Sequence, residues 1–182
     1  MTFPAFFDTC TLYGAALTDL VLELAEQGAF RPLWSAHVLA ELEVAVARRG
    51  IERSAIRSRI AAMQSAFPDA NVTGYEDLIE DMSNDAGDRH VVAAAVRANA
   101  ETIVTFNLKH FPDAALSNYD LEAVHPDAFL LDQLDLYPKL TLNAVEEIAA
   151  SYESPPMTTE RFLELLARAG VPQFAARVRA DL

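Results

Sequence analysis

Residues 84–111 read NDAGDRHVVAAAVRANAETIVTFNLKHF, and this stretch decides the fold class that the sequence predicts. It begins with Asp85 and Asp88, three residues apart, and continues into apolar residues at helical spacing. The β-branched run 102–105 then predicts a short buried strand, with the polar residue Asn107 just beyond its carboxyl end. In open parallel α/β sheets, ligands bind beyond the carboxyl ends of the strands. The stretch therefore predicts an α/β fold with a ligand site near these polar residues.

The same alternation of strands and helices extends to both sides of this stretch. The apolar run 3–7 predicts a first strand that ends at Asp8, and residues 11–27 have the apolar spacing of a helix. A second strand over 30–34 leads to Ser35, a predicted N-cap for the helix that carries Glu41. Further predicted segments are a helix over 51–67, a weak strand over 71–73, an irregular loop over 77–85 and an edge strand over 121–124. After about residue 126 only helical patterns remain, so we predict an α/β domain over 1–125 and a C-terminal helical extension over 126–182.

The composition limits the classes of partner. The 182 residues are 52% hydrophobic, and no apolar run approaches the roughly 18–20 residues of a membrane span. The single cysteine, Cys10, excludes an intrachain disulfide, and the N-terminus lacks the basic residues of a secretory signal, so we expect a cytoplasmic protein. The net charge of −13 argues against a simple phosphate-backbone binder. Positive charge is nevertheless concentrated in one short segment, at Arg48, Arg49, Arg53, Arg57 and Arg59.

Four acids are placed where separate elements can bring them together: Asp8, Glu41, Asp85 and Asp88. Carboxylates that lie close together repel one another, which raises their pKa values. A divalent cation bound between them removes this repulsion. Hard ions such as Mg²⁺ and Mn²⁺ prefer oxygen ligands, and such an ion can activate a water and stabilise charge on a phosphoryl group. The acids therefore predict metal-assisted hydrolysis of a phosphodiester bond.

Each candidate residue also has a purely structural interpretation. Asp8 can be an exposed strand-end residue or a helix cap, and Glu41 can be a solvated helix residue. The pair Asp85 and Asp88 resembles a capping pattern at a helix N-terminus, and Asn107 can cap the turn that follows it. Cys10 fits a small buried residue. The histidines indicate no zinc site, because His90 is expected on the helix surface and His37, His110 and His125 have no metal-ligand spacing.

Other phosphate chemistries lack their characteristic residues. The six glycines are scattered, so there is no Gly-rich dinucleotide loop and no Walker loop. Haloacid-dehalogenase phosphatases have an aspartate where Asp8 follows its strand, but they need a second aspartate where this chain has Cys10. No serine nucleophile elbow is present in the sequence.

Four motifs in order resemble the PIN domain family. They are FFDTC at 6–10, PLWSAHVLAELE at 32–43, NDAGDRHVVAAA at 84–95 and IVTFNLKHFP at 103–112. The likeness spans roughly residues 3–125 and is strongest to the bacterial VapC-like branch, the toxins of toxin–antitoxin pairs. The resemblance implies a Rossmann-like three-layer α/β/α sandwich with a central parallel sheet. It also implies a ribonuclease that depends on Mg²⁺ or Mn²⁺.

The resemblance also implies a role for particular residues. It assigns catalysis and metal ligation to Asp8, Glu41 and Asp88, with Asp85 as a further metal ligand beside them. Asn107 stands where many PIN domains carry a fourth aspartate, and it can offer a neutral oxygen to the metal but no charge. Ser35 matches a supporting position often held by Ser or Thr.

The function predicted from the sequence is a metal-dependent endoribonuclease, the toxin of a type II toxin–antitoxin pair. Its expected partners are an RNA substrate, a cognate antitoxin and a second copy of the chain. The expected RNA-binding residues are Arg48, Arg49, Arg53 and Arg57. Alternatively, these arginines bind an acidic partner or form the solvent-exposed face of a helix. Two other interpretations stay open. One is a PIN fold that binds RNA or a protein without cleaving, which Asn107 favours, and the other is a DNA nuclease, whose relatives usually carry more acids in matching places.

Overall fold

The structure, a computed structural model, describes residues 2–182, which form two units. One unit contains the chain up to Tyr13 together with Phe30–Val124, and the other contains Gly14–Ala29 together with His125–Leu182. In chain order the strands and α-helices are β1 (Pro4–Phe7), α1 (Ala15–Glu26), β2 (Arg31–Ser35), α2 (Ala36–Ala47), α3 (Arg53–Ala66), β3 (Asn71–Val72), α4 (Arg89–Arg97), β4 (Thr102–Val104), α5 (Asp113–Leu116), β5 (Glu122–Val124), α6 (Pro126–Leu136), α7 (Pro138–Ser151), α8 (Thr159–Arg168) and α9 (Pro172–Asp181). Short 3₁₀ helices lie at Glu76–Asp81, Ala86–Asp88, Leu108–His110 and Ser117–Tyr119.

A parallel sheet in the order β3-β2-β1-β4-β5 forms the centre of the first unit. The middle strand is β1, where Phe6 is in register with Leu33 of β2 on one side and with Ile103 of β4 on the other. Along the chain, β2 and β3 are added on one side of β1, and β4 and β5 are then added on its other side. Such a switch point opens a crevice at the carboxyl ends of the two strands that flank it. Asp8 directly follows β1 and therefore lies at this crevice.

The strands and helices around the crevice follow from their residues. β1 and β4 are buried almost throughout, as expected for the near-continuous apolar runs of strands covered on both faces. The side chain of Ser35 accepts a hydrogen bond from the backbone N–H of Val38 at 3.3 Å, which confirms it as the N-cap of α2. Residues 91–95 of α4 are fully buried, and the alanines among them let this helix contact β2, β3 and β4.

The predicted α/β class with a central parallel sheet, flanking helices and C-terminal helices is confirmed. Two local predictions were wrong. The helix predicted over 11–27 begins only at Ala15, because Thr11 donates its backbone N–H to the carbonyl of Asp8 and its hydroxyl to that of Val104. The loop predicted over 77–85 is helical over 77–81, where it overlaps the 3₁₀ helix Glu76–Asp81.

The second unit contains α1 and the helices that follow β5. Helix α1 contacts α7 and α8, and its buried residues include Leu17, Leu20 and Leu24. The buried Asp127 accepts hydrogen bonds from the backbone N–H groups of Gln173 and Phe174 at 3.0 and 2.7 Å, which caps the start of α9. The sequence assigned residues 14–29 to the first domain, whereas the structure groups them with the C-terminal helices because the apolar side of α1 packs there. No helix within residues 2–182 is both long enough and apolar enough to cross a membrane.

Candidate functional site

A cleft of about 540 Å³ lies in the first unit where the switch point predicts it. Ten residues line this cleft: Asp8, Thr9, Cys10, Tyr13, Glu41, Ala45, Arg48, Arg49, Asp88 and Asn107. They come from the end of β1, from α2, from the start of α4 and from the turn after β4. The structure therefore brings Asp8, Glu41, Asp88 and Asn107 to one place, although 99 positions of the sequence separate the first from the last.

Three donors orient the carboxylate of Asp8, which is only 3% exposed. The backbone N–H of Thr9 donates to one oxygen at 2.7 Å, and the hydroxyl of Thr105 donates to the other at 2.7 Å. The thiol of Cys10 donates to the same second oxygen at 3.2 Å. Asp8 is therefore neither an exposed strand end nor the cap of α1, whose N-cap is Gly14.

Glu41 is held at both carboxylate oxygens. The hydroxyl of Thr9 donates to Oε2 at 2.7 Å, and Nε2 of His90 lies 3.0 Å from Oε1. Burial raises the pKa of Glu41, but the hydrogen bonds from His90 and Thr9, together with the electrostatic effect of the nearby His90 and His37 rings, outweigh it, so the pKa of this carboxyl lies below its usual range. Glu41 is therefore a charged acid at neutral pH with a fixed orientation.

The prediction that His90 lies on the helix surface is wrong, because the residue is only 9% exposed. Its ring contacts that of His37, with centroids 5.0 Å apart, and Nδ1 of His37 lies 2.8 Å from the hydroxyl of Tyr75. Nδ1 of His90 is buried without a hydrogen-bond partner among the described residues. A proton on Nε2 can be donated to Glu41, whereas a proton on Nδ1 would be buried without an acceptor among the described residues.

Asp88 faces both the cleft and a histidine. Its Oδ2 lies 2.6 Å from Nδ1 of His110, and Asp85, Asp88 and His110 present ligand atoms that are all within 4.8 Å of one another. Burial, together with the charges of Asp8 and Asp85, holds the pKa of Asp88 above its usual range even though the hydrogen bond with His110 lowers it. The sequence shows no metal-ligand spacing for His110, but folding places it beside two acids that are more than twenty residues away in the sequence.

The capping interpretation holds for Asp85 but not for Asn107. Oδ1 of Asp85 accepts the backbone N–H of Gly87 at 3.1 Å and so caps the 3₁₀ helix Ala86–Asp88. Asn107 precedes the 3₁₀ helix Leu108–His110 without a capping hydrogen bond from its side chain. Its backbone N–H donates to the hydroxyl of Thr105 at 3.0 Å, which fixes this turn beside Asp8. The amide side chain of Asn107 is thus left to line the cleft.

Cys10 lines the cleft rather than lying fully buried in the core. Its sulfur accepts the backbone N–H of Phe106 at 3.3 Å and lies near the carboxylate of Asp8. Burial and the charge of Asp8 raise the pKa of the Cys10 thiol to about 11. The thiol is therefore protonated at neutral pH, where only a thiolate would act as a nucleophile.

The predicted RNA-binding arginines occupy different surroundings. Arg48 and Arg49 line the cleft, and the guanidinium carbon of Arg49 lies 4.6 Å from the centre of the Tyr13 ring. Arg57 forms an ion pair with Glu43 at 2.8 Å. Arg53 is exposed at the first residue of α3 and is not among the residues that line the cleft.

Several residues of the site could not be predicted from the sequence: Thr9, Tyr13, His90, Thr105 and His110. Each acts through a partner that is distant in the sequence, so no local motif marks it. Ser35 is fully buried and holds the start of α2, from which Glu41 projects about a turn and a half later. Its contact with the site is therefore indirect.

Two protein families match the chain. The PIN domain family matches residues 4–109, more than half of the chain, and the VapC50 C-terminal domain matches residues 126–180. A curated protein of Mycobacterium tuberculosis with the name "Putative ribonuclease VapC50" is 55% identical over 106 residues. The matched region is 58% of this chain and 62% of that relative, so the chain spans less than two thirds of the relative's length. No solved structure matches the chain at a significant level.

Proposed function

The chain belongs to the PIN domain family, and we propose that it is a metal-dependent endoribonuclease that hydrolyses RNA phosphodiester bonds. The observation that carries this proposal is the convergence of three carboxylates in one cleft, those of Asp8, Glu41 and Asp88. A cleft that concentrates negative charge is costly unless a cation occupies it. The name of the Mycobacterium tuberculosis relative, which describes a ribonuclease, supports RNA as the substrate.

The donor atoms of the site fit a hard divalent ion. The cleft is lined by three carboxylates and one side-chain amide, and oxygen is the ligand type that Mg²⁺ and Mn²⁺ prefer. Asp8, Glu41 and Asp88 would hold the ion, with Asp85 and Asn107 as additional ligands. The chemistry that such an ion supplies is the activation of water and the neutralisation of charge on the phosphoryl group.

The residues of this chain prepare the cleft for that reaction. Thr9, Thr105 and Cys10 orient Asp8, while Thr9 and His90 orient Glu41. Partners of this kind fix the direction of metal ligands and raise the affinity of the site. The low pKa of Glu41 keeps this acid ionised, so that it is ready to bind a cation. Arg48 and Arg49 would hold the RNA backbone at the cleft, with Arg53 and Arg57 as weaker contacts on α3.

A second candidate function is RNA or protein binding without cleavage. It is favoured by Asn107, because the neutral amide leaves the cleft with one charge fewer than a fourth aspartate would supply. We prefer the nuclease because three acids remain, and two of them are held by dedicated hydrogen bonds.

Cleavage of a labelled single-stranded RNA tests the two candidates. The nuclease proposal expects cleavage with Mg²⁺ or Mn²⁺, none with a chelator, and none by Asp8→Asn purified in parallel. The matched control is Asp69→Asn, which makes the same change at an exposed acid outside the cleft and should keep full activity. RNA binding without cleavage in either ion would favour the binding module instead.

We further propose that the chain is the toxin of a toxin–antitoxin pair, with residues 1–125 as the nuclease domain and 126–182 as an extension. The match of residues 126–180 to the VapC50 C-terminal domain supports that division. A cognate antitoxin and a second copy of the chain are the proposed protein partners. Expression of the chain alone should arrest growth, and co-expression of the reading frame immediately upstream should relieve the arrest. Normal growth in both cultures would contradict the toxin role but not the nuclease.

A further inference from the structure

One arginine of the cleft is held against an aromatic ring. The guanidinium carbon of Arg49 lies 4.6 Å from the centre of the Tyr13 ring, and both residues line the cleft with Asp8 and Asp88. We propose that Arg49, positioned by Tyr13, binds an RNA phosphate next to the one that is cleaved. This phosphate subsite for single-stranded RNA rests on the proposed function and specifies how the substrate is held.

The backbone conformation around Arg49 fixes the position from which its side chain extends. Arg49 follows the last turn of α2, where its N–H donates to the carbonyl of Val46 at 3.1 Å. Gly50 then turns the chain with a φ of +82°, a conformation that residues with a Cβ rarely adopt. The side chain therefore starts from a defined position at the rim of the cleft, and the ring of Tyr13 limits where the guanidinium lies.

The contact with the Tyr13 ring leaves donors of Arg49 available. A guanidinium that lies over a ring keeps its N–H groups in its own plane, where they can make two parallel hydrogen bonds to a phosphate. Arg49 takes part in none of the ion pairs found among residues 2–182, whereas Arg57 is paired with Glu43. Its charge is thus not neutralised by a neighbouring carboxylate.

The charges of the cleft favour a nucleotide over an acidic protein segment. Asp8, Glu41 and Asp88 repel any anion, while Arg48 and Arg49 are the two cations among the residues that line the cleft. An RNA strand places successive phosphates at a regular spacing, so where a divalent ion held by the acids binds one phosphate, the neighbouring phosphate can lie at Arg49. The carboxylates of an acidic peptide lie on flexible side chains without such a regular spacing, and this peptide is the competing ligand in the test.

Binding of a short fluorescein-labelled single-stranded RNA of mixed sequence, followed by anisotropy, tests this subsite. The full chain is used with Ca²⁺ as the divalent ion, and the RNA is checked on a gel for integrity. The variants are Arg49→Gln, Tyr13→Leu, their combination and Tyr13→Phe, which keeps the ring. Arg31→Gln is the matched control, since it removes an exposed arginine at the amino end of β2, the opposite edge of the sheet.

We expect Arg49→Gln to weaken binding about tenfold and to lower the slope of log K against log salt by about 0.7, the contribution of one phosphate contact on a single strand. Tyr13→Leu should weaken binding by roughly threefold and have no further effect in the Arg49→Gln variant, because Tyr13 acts through Arg49. Tyr13→Phe and Arg31→Gln should bind like the unmodified chain, and every variant is compared by its melting temperature.

Additive effects of Tyr13→Leu and Arg49→Gln would overturn the positioning role of Tyr13. Binding that is indifferent to Arg49→Gln would overturn the subsite, as would an Arg49-dependent affinity for a polyglutamate peptide but not for RNA. If the chain cleaves RNA and Arg49→Gln changes nothing, the subsite fails and the nuclease stands. If RNA binds through Arg49 and is never cleaved, the phosphate contact of Arg49 stands, but the nuclease and the adjacent-phosphate position both fail.

Discussion

Thr105→Val removes one hydroxyl that supports two parts of the site. This hydroxyl donates to the carboxylate of Asp8 at 2.7 Å and accepts the backbone N–H of Asn107 at 3.0 Å, and Thr105 is fully buried. Valine has nearly the same shape, so the change removes these two hydrogen bonds, together with a 3.4 Å contact to the Cys10 thiol, with little effect on packing. It therefore isolates the contribution of these bonds to the stability of the fold and to the orientation of Asp8.

The expected loss follows from the two bonds. A hydrogen bond to a charged group contributes about 1.5–3 kcal/mol, and the backbone N–H of Asn107 loses its acceptor at a cost of about 1 kcal/mol. Together they predict that the free energy of unfolding falls by about 3 kcal/mol, which for a chain of this length lowers the melting temperature by roughly 6–12 °C. Because Thr105 orients a proposed metal ligand, the Mn²⁺ concentration for half-maximal stabilisation should also rise about tenfold.

The assay is urea unfolding followed by circular dichroism, first with a chelator and then at increasing Mn²⁺. Thr102→Val is the matched control, since it removes a buried hydroxyl from the first residue of β4, at the end of the strand away from Asp8. The control should show the metal dependence of the unmodified chain. A Thr105→Val protein with the stability and the Mn²⁺ dependence of the control would refute the argument, because it would mean that the hydroxyl neither stabilises nor orients Asp8.

Three further predictions concern the other polar groups of the cleft. Asn107→Asp should tighten Mn²⁺ and, without metal, lower stability by about 1 kcal/mol through repulsion between like charges; equal Mn²⁺ dependence in both proteins would place Asn107 outside the site. His90→Gln, which keeps a donor for Glu41, should retain Mn²⁺ affinity that His90→Leu loses, and equal losses in thermal-shift titrations would contradict this positioning role. Asp88→Asn should stabilise the metal-free protein at neutral pH, because the raised pKa of Asp88 means that its charged form is disfavoured in the folded state. The gain in stability should vanish as the pH falls through the pKa of Asp88, because the unmodified chain then takes up the proton. A gain that does not depend on pH in melting experiments would show that it does not come from the charge of Asp88.

The sequence by itself determined the fold class and the acids of the cleft. Short apolar runs rich in β-branched or aromatic residues and bounded by turn signals indicate buried strands, and a polar residue directly after such a run lies at the carboxyl end of the strand. Asp8 after β1 and Asn107 after β4 could therefore be placed before the sheet order was known. The α/β class followed in the same way, since the alternation of strands and helices is local information.

Only the tertiary structure decided what holds those acids. Thr105 reaches Asp8 across 97 positions, His90 reaches Glu41 across 49 and His110 reaches Asp88 across 22. These pairs form because β4 lies directly beside β1 and the residues around α4 approach the carboxyl ends of both strands, a neighbour relation that no local pattern encodes. The position of α1 was decided in the same way, because an amphipathic helix shows that one side is buried but not which surface covers it.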